Sequence, residues 1–239
     1  MTIKKYLIWT SALLLSIGSS TAQTVDIVKK GKLNRARASI SFEFVEPTTD
    51  LPALNYIGTI KATGVDKDSS IPKLFFKLKR KAQELGANSF KLNKFVKRDK
   101  SQKASLSLDI YFCSDSLMKT NRANHLKNSA ILFIDDLNSD EVYEFYINEI
   151  KRKIKSGEYF RYNIKTGVDF VLAESGLLGT TIKYKWAENR TAIFITFTDF
   201  GLENKENESD YLGKYFNTKR INRIDNDLGH LLILLLNAK

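Results

Sequence analysis

Cysteine occurs once in the 239 residues, at Cys113, and histidine twice, at His125 and His230. A lone cysteine has no partner for an internal disulfide, so stability has to come from core burial even in an oxidising compartment. Two histidines 105 residues apart give a His-rich zinc, copper or iron site almost no ligands to draw on, and neither metal nor cofactor is expected. Catalytic motifs are equally scarce. Ser175 lacks the Gly-x-Ser-x-Gly elbow of a serine hydrolase, and Asp135-Asp136 with Asp140 and Glu141 does not supply the ligand spacing of a calcium loop. Acid, base and nucleophile candidates are isolated rather than convergent, which argues against an enzyme and leaves no catalytic residue to name. Long apolar runs are missing too. Leu228 to Leu236 is dense but too short to cross a bilayer, and it reads as a C-terminal helix that docks on its neighbours.

The N-terminus is the strongest signal that is there. Met1 to Lys5 is a short positive start, and Tyr6 to Ile17 is an almost uncharged apolar run, shorter than the ~20 residues of a membrane helix. Ser20-Thr21-Ala22 then puts small residues where a signal peptidase reads. The expectation is a signal peptide over residues 1–22, cleavage between Ala22 and Gln23, and export to the periplasm or the medium. No cysteine follows the cut, so no lipid anchor is expected. The remaining 217 residues suffice for two modest units, and 43% hydrophobic with 11% aromatic residues is ample for packed cores.

Charge divides those units. The net charge of +11 is concentrated in residues 61–127, which hold 16 Lys or Arg against 6 Asp or Glu, while residues 128–239 hold 15 against 17. Outside the cytoplasm a basic surface meets lipid head groups, lipopolysaccharide phosphates or acidic glycans, and nucleic acid is not an expected partner. The divided charge and the change of pattern near residue 128 predict a basic α+β unit over residues 23–127, ending in a polar linker from Asp115 to Asn128. A β-sandwich with a C-terminal helix is expected over 128–239.

Within the first unit, Ile40, Phe42 and Phe44 alternate with Ser39, Ser41 and Glu43 until Pro47 stops the run, the pattern of a half-buried strand. A second strand is expected over 53–62. After the polar stretch 66–70 the period changes: Leu74, Phe75, Leu78, Ala82 and Leu85 share a helical stripe, with Ser70 as N-cap, Pro72 in the first turn and Gly86 as the left-handed residue past the end. The outer face of this helix carries Lys73, Lys77, Arg80 and Lys81, relieved by Glu84. Lys77, Arg80 and Lys81 are the candidate electrostatic binding residues. Strands are expected over 89–96 and 104–114; in the latter Leu106, Leu108, Ile110 and Phe112 oppose Ser105, Ser107, Asp109, Tyr111 and Cys113. The unit is thus β-β-α-β-β. The helix end, Leu85-Gly86-Ala87-Asn88, passing directly into a strand, resembles small bacterial envelope modules of the YbjQ and RcsF type, and this resemblance covers the helix, its cap and the next strand. Gly86 ends the helix, and Asn88 bonds exposed backbone before the strand begins.

In the second unit a short strand is expected over 130–134, followed by a meander of strands through Asn163. Turns are expected at Asn148-Glu149, Ser156-Gly157 and Thr166-Gly167, and further strands over 168–174, 180–186 and 191–198. The run with Asn148, Gly157, Tyr159 and Gly167 resembles exported β-sandwich domains of the PEGA and DUF2846 type, in which these are structural residues. The resemblance implies a scaffold or binding role and transfers no catalytic group. Tyr184 and Trp186 alternate with Lys183 and Lys185, which puts the aromatics toward the core.

The fold class expected is therefore α+β, a small β-β-α-β-β domain followed by an antiparallel β-sandwich with a C-terminal helix. The function expected is exported, non-catalytic binding of an anionic envelope component or a partner protein. Two alternatives stand beside it: a glycan hydrolase using a carboxylate pair such as Glu158 and Asp169, and a structural or assembly protein.

Overall fold

Ile71 to Glu84 forms a helix because its apolar positions fall on one side, and that side packs on a sheet. The computed structural model describes residues 25–31, 40–50, 52–64, 70–98, 100–134, 142–174, 181–197 and 221–238. The expectations for the signal peptide, the polar stretch 66–69, Asp135-Asp136 and Ser175 lie outside these residues. The fold is α+β, with mostly antiparallel sheets and three helices among the described residues: α1 (Ile71–Glu84), α2 (Asp115–Asn124) and α3 (Asn226–Leu235). No described helix is long and apolar enough to cross a membrane.

The first sheet is ordered β1-β3-β5-β4-β2, from strands Val25–Lys30 (β1), Glu43–Phe44 (β2), Asn55–Thr63 (β3), Ser89–Val96 (β4) and Ser105–Phe112 (β5). All its pairings are antiparallel except that of β2 with β4. Alternation buries Leu106, Leu108 and Ile110 of β5 under α1, whose Leu74, Phe75, Leu78 and Ala82 are fully buried. Gly86 has a φ of 82°, the left-handed conformation that its lack of a Cβ allows, and it turns the chain from α1 into β4. Asn88 then ties two strands together: its Nδ2 donates to the Cys113 carbonyl at 2.7 Å, and its Oδ1 accepts from the Cys113 N–H at 2.7 Å. Ser70 occupies the N-cap of α1, but its hydroxyl makes no capping bond.

Three local expectations are corrected. Residues 115–124 are a helix, not a linker: Ser114 caps α2 by accepting from the Leu117 N–H, and Met118 and Asn121 form its buried side. That helix covers Cys113, which sits 1% exposed in a small core with Val45, Leu54 and Met118. Burial pushes its thiol pKa up, so it is an unreactive packing group. Ile40 is 96% exposed, so the buried alternation holds only for Phe42 and Phe44.

The second half comprises Ser129–Phe133 (β6), Val142–Ile147 (β7), Ile150–Lys155 (β8), Glu158–Asn163 (β9), Phe170–Glu174 (β10), Thr181–Tyr184 (β11), Ile193–Thr196 (β12), Asn222–Arg223 (β13) and Asn237–Ala238 (β14). They build two sheets, β11-β10-β7-β8 and β13-β12-β6-β9-β14. The meander is therefore interrupted. Gly157, at φ 78°, lies in a turn that carries the chain from one sheet to the other instead of closing a hairpin. Phe145, Ile154, Phe170 and Leu172 of one sheet share a core with Ala130, Leu132, Ile193 and Ile195 of the other, and Tyr184 and Trp186 pack at its margin.

The β6–β12 sheet is buried on both sides. Its other face offers Ile131, Phe133 and Phe194 to α3, whose Leu228, Leu231 and Leu232 are fully buried. The same core cluster continues into Phe44 and Phe90 of the first sheet, Phe42 just before β2, and Phe75 of α1. α3 is consequently the element held in common, packed on β2 and β4 on one side and on β12 and β14 on the other. Each fully buried leucine stabilises that junction by ~1.5–3 kcal/mol.

Candidate functional site

Three chain segments meet where α3 crosses the end of β2. The chain leaving β2 places Glu46 on the same side as Phe42 and Phe44. The C-cap of α2 is His125, and the second turn of α3 delivers His230. α3 is fixed there by its own N-terminus: Asp225 Oδ1 accepts from the N–H groups of Asp227 at 2.8 Å and Leu228 at 3.4 Å, and Lys79 of α1 reaches Asp225 Oδ2 at 3.4 Å. Asp227 also accepts from the Phe44 N–H at 3.0 Å, which pins the helix start to the strand. Burial, reinforced by the neighbouring Asp225 carboxylate, raises the Asp227 pKa above the usual carboxylate range.

Asn121 organises the other side. Its Oδ1 accepts from the Glu46 N–H at 2.8 Å and from the Thr49 hydroxyl at 2.8 Å, while its Nδ2 donates to the Phe44 carbonyl at 2.8 Å and lies 3.2 Å from His125 Nε2. Two acceptor bonds and one donor bond fix the amide's orientation. His125 Nε2 is also 3.3 Å from the Phe44 carbonyl, so the imidazole is anchored at one nitrogen.

His230 is 4% exposed, with its ring stacked on Phe44 at 5.4 Å and tilted against Phe194 at 5.0 Å. Its Nδ1 faces Glu46 Oε1 at 3.5 Å, its ring centre is 4.5 Å from that of His125, and its Nε2 is buried with no hydrogen-bond partner among the described residues. A ligating atom from each of Glu46, His125 and His230 lies within 4.8 Å of the others. Burial, with His125 and Lys127 adding to it, depresses the His230 pKa to about 3, and burial also lowers that of His125. Both rings are neutral at pH 7. Desolvation raises the Glu46 pKa, with Lys91 partly opposing it. The arrangement thus offers two neutral imidazoles and one carboxylate in a largely dehydrated niche. Both histidines of the chain, 105 residues apart in sequence and expected to give a His-rich metal site almost no ligands to draw on, are in contact. Within the sequence the one pointer was His230 itself, a polar ring embedded in an apolar run.

The residues singled out from sequence lie elsewhere. Lys77, Arg80 and Lys81 line the solvent side of α1, opposite its buried leucines; Arg80 is exposed, and Lys81 pairs with Glu84 at 3.1 Å. Of the structural residues, Gly86 and Asn88 join α1 to the first sheet. Tyr159 in β9 packs near Phe133 at 6.2 Å, and Gly167 turns at φ 73°. The carboxylates weighed as a hydrolytic pair are engaged locally: Glu158 accepts from the Lys155 N–H at 3.0 Å, and Asp169 from the Trp186 N–H at 3.0 Å. Comparison of the chain with protein-family models, curated proteins and solved structures finds no match.

Proposed function

We propose that this is an exported, non-catalytic binding protein of a bacterial envelope, with a basic α+β unit followed by a β-sandwich unit, that engages an anionic envelope component through the outer face of α1. The observation that carries this reading is the division of α1. Ile71, Leu74, Phe75, Leu78 and Ala82 are buried, so Lys73, Lys77, Arg80 and Lys81 are left on the opposite side, with Glu84 the one acidic residue of the helix. A row of cations on a rigid helix, seated on a packed sheet, attracts a polyanion without the entropic cost of ordering a loop. The engaged carboxylates of Glu158 and Asp169 support binding over glycan hydrolysis.

The test is cosedimentation of the chain from Gln23 to Lys239 with purified envelope fractions at low and high salt, beside the variant with Lys77, Arg80 and Lys81 all changed to Glu. Exposed charge contacts are screened within ~10 Å at ordinary ionic strength, so retention should fall as salt rises and be lost in the variant. Retention indifferent to both would refute the basic-face reading.

A further inference from the structure

We propose that Glu46, His125 and His230 form a binding site for a first-row divalent cation, zinc by its ligand chemistry, which ties α3 to the end of β2 and to the C-cap of α2. Imidazole nitrogen with one carboxylate oxygen is a donor set suited to zinc and its neighbours, and three protein ligands leave a fourth position for water. With metal–ligand bonds of ~2.0–2.2 Å, the ligand–ligand edge of a tetrahedral site is about 3.4 Å. Glu46 Oε1 and His230 Nδ1 already stand 3.5 Å apart. The 4.8 Å limit that contains all three donors requires side-chain closure of at most ~1.4 Å to reach that geometry.

The lone pairs are available. A neutral imidazole has one bare nitrogen: with its proton on Nε2, which has no partner among the described residues, His230 presents a bare Nδ1 toward Glu46 Oε1. In this apolar slot between Phe44 and Phe194, a phenyl ring would fill the space without leaving a polar atom unpaired. His125 has the support usual for a metal-bound histidine. Its Nε2 stands 3.3 Å from the Phe44 carbonyl and 3.2 Å from Asn121 Nδ2, which fixes the ring's position, and the tautomer that donates from Nε2 to the carbonyl leaves Nδ1 bare as the ligand. Bound, the cation joins segments separated by 79 and 105 residues.

The test is titration of untagged, EDTA-treated protein with Co2+ as a spectroscopic stand-in for zinc. The expected result is a visible ligand-field band saturating at one equivalent, abolished by excess Zn2+, with the imidazole NMR signals of both histidines shifted by Zn2+. No other histidine can supply those signals. Substitution of buried His230 changes core packing as well as ligation, so the decisive variants are Glu46→Gln and His125→Gln, with folding checked by thermal melting. Each should weaken Co2+ binding about tenfold or more. A band of unchanged affinity in both folded variants, histidine signals that do not move, or absence of a one-equivalent band would overturn the proposal.

Discussion

Replacing Gly229 by alanine tests the placement of α3 directly, because two terms of opposite sign compete there. In an exposed helix the change stabilises by ~1 kcal/mol. Here a Cβ would stand 2.2 Å from Cγ, 2.4 Å from Cδ1 and 2.7 Å from Cδ2 of Phe194, whereas carbon atoms in contact sit ~3.5–4.0 Å apart. The ring must therefore withdraw by more than ~1 Å. It has nowhere to go: Phe194 is fully buried on a strand flanked by β13 and β6, with the Phe133 ring at 6.2 Å and the His230 ring at 5.0 Å. Overpacking of this kind costs ~1–3 kcal/mol, and an overlap this large belongs at the upper end. Subtracting the propensity gain leaves a net destabilisation of ~1–2 kcal/mol, read as a lower urea midpoint at unchanged slope. Phe194→Ala removes all three clashing atoms, so the double variant should be at least ~1 kcal/mol more stable than the two single losses added together. A Gly229→Ala protein as stable as the parent, or strictly additive losses, would show that α3 does not lie against Phe194 as described.

The remaining predictions concern a turn and a titration. Asn148 and Glu149, at φ 47° and 68°, form the two-residue hairpin between β7 and β8, with Ile147 paired to Ile150. Asn148 is held by bonds to the Asp169 carbonyl at 3.1 Å and from the Val171 N–H at 2.8 Å, but Glu149 is exposed and adopts a conformation suited to glycine. Glu149→Gly should stabilise by ~1 kcal/mol in chemical denaturation, while Asn148→Gly should destabilise; a loss of stability on Glu149→Gly would contradict the turn assignment. The depressed pKa of His230, about 3 against 6.5 unfolded, means that below pH 6.5 the unfolded chain binds a proton that the folded chain refuses. Stability contributed by the neutral ring is present above pH 6.5 and is lost as pH falls toward 3. Glu46 and Asp227, with raised pKa values, act in the opposite direction, so the comparison must be with His230→Gln in EDTA. Whatever the offset at pH 7, parent stability should fall relative to this variant by up to ~1.4 kcal/mol for each pH unit below 6.5, and parallel pH profiles would refute the burial of a neutral His230.

Legibility followed the locality of the signal. α1 was readable almost to the residue because its stripe, Pro72 and Gly86 lie within one segment, and β4 and β5 were readable because alternation needs no partner to be seen. α2 was hidden because Asp115 to Asn124 has only Leu117 and Met118 as large apolar residues, and part of its buried side is the amide of Asn121. Its one local sign was Ser114, a capping residue. The interrupted meander was hidden for a different reason: a Ser-Gly turn has the same sequence whether it closes a hairpin or passes the chain between sheets, and only the packing of Ile154 and Phe160 into one core decides.

The histidine pair shows the limit of spacing arguments most clearly. Motifs such as two ligands one helical turn apart are visible because a single element carries both, but Glu46, His125 and His230 come from the end of a strand, the cap of a helix and the interior of another helix. What unites them is α3, and α3 is where it is because Leu228, Leu231 and Leu232 fill the space between two sheets. A leucine at 230 would suit that layer as well, whereas the imidazole leaves one nitrogen buried and unpaired, a cost of ~1–3 kcal/mol set against the apolar gain of its neighbours. The basic face of α1 and the niche beneath α3 therefore differ in kind. The first is a solvated charge that the hydrophobic pattern of its own helix already exposes, and the second is an unmet chemical demand that only the assembled core creates.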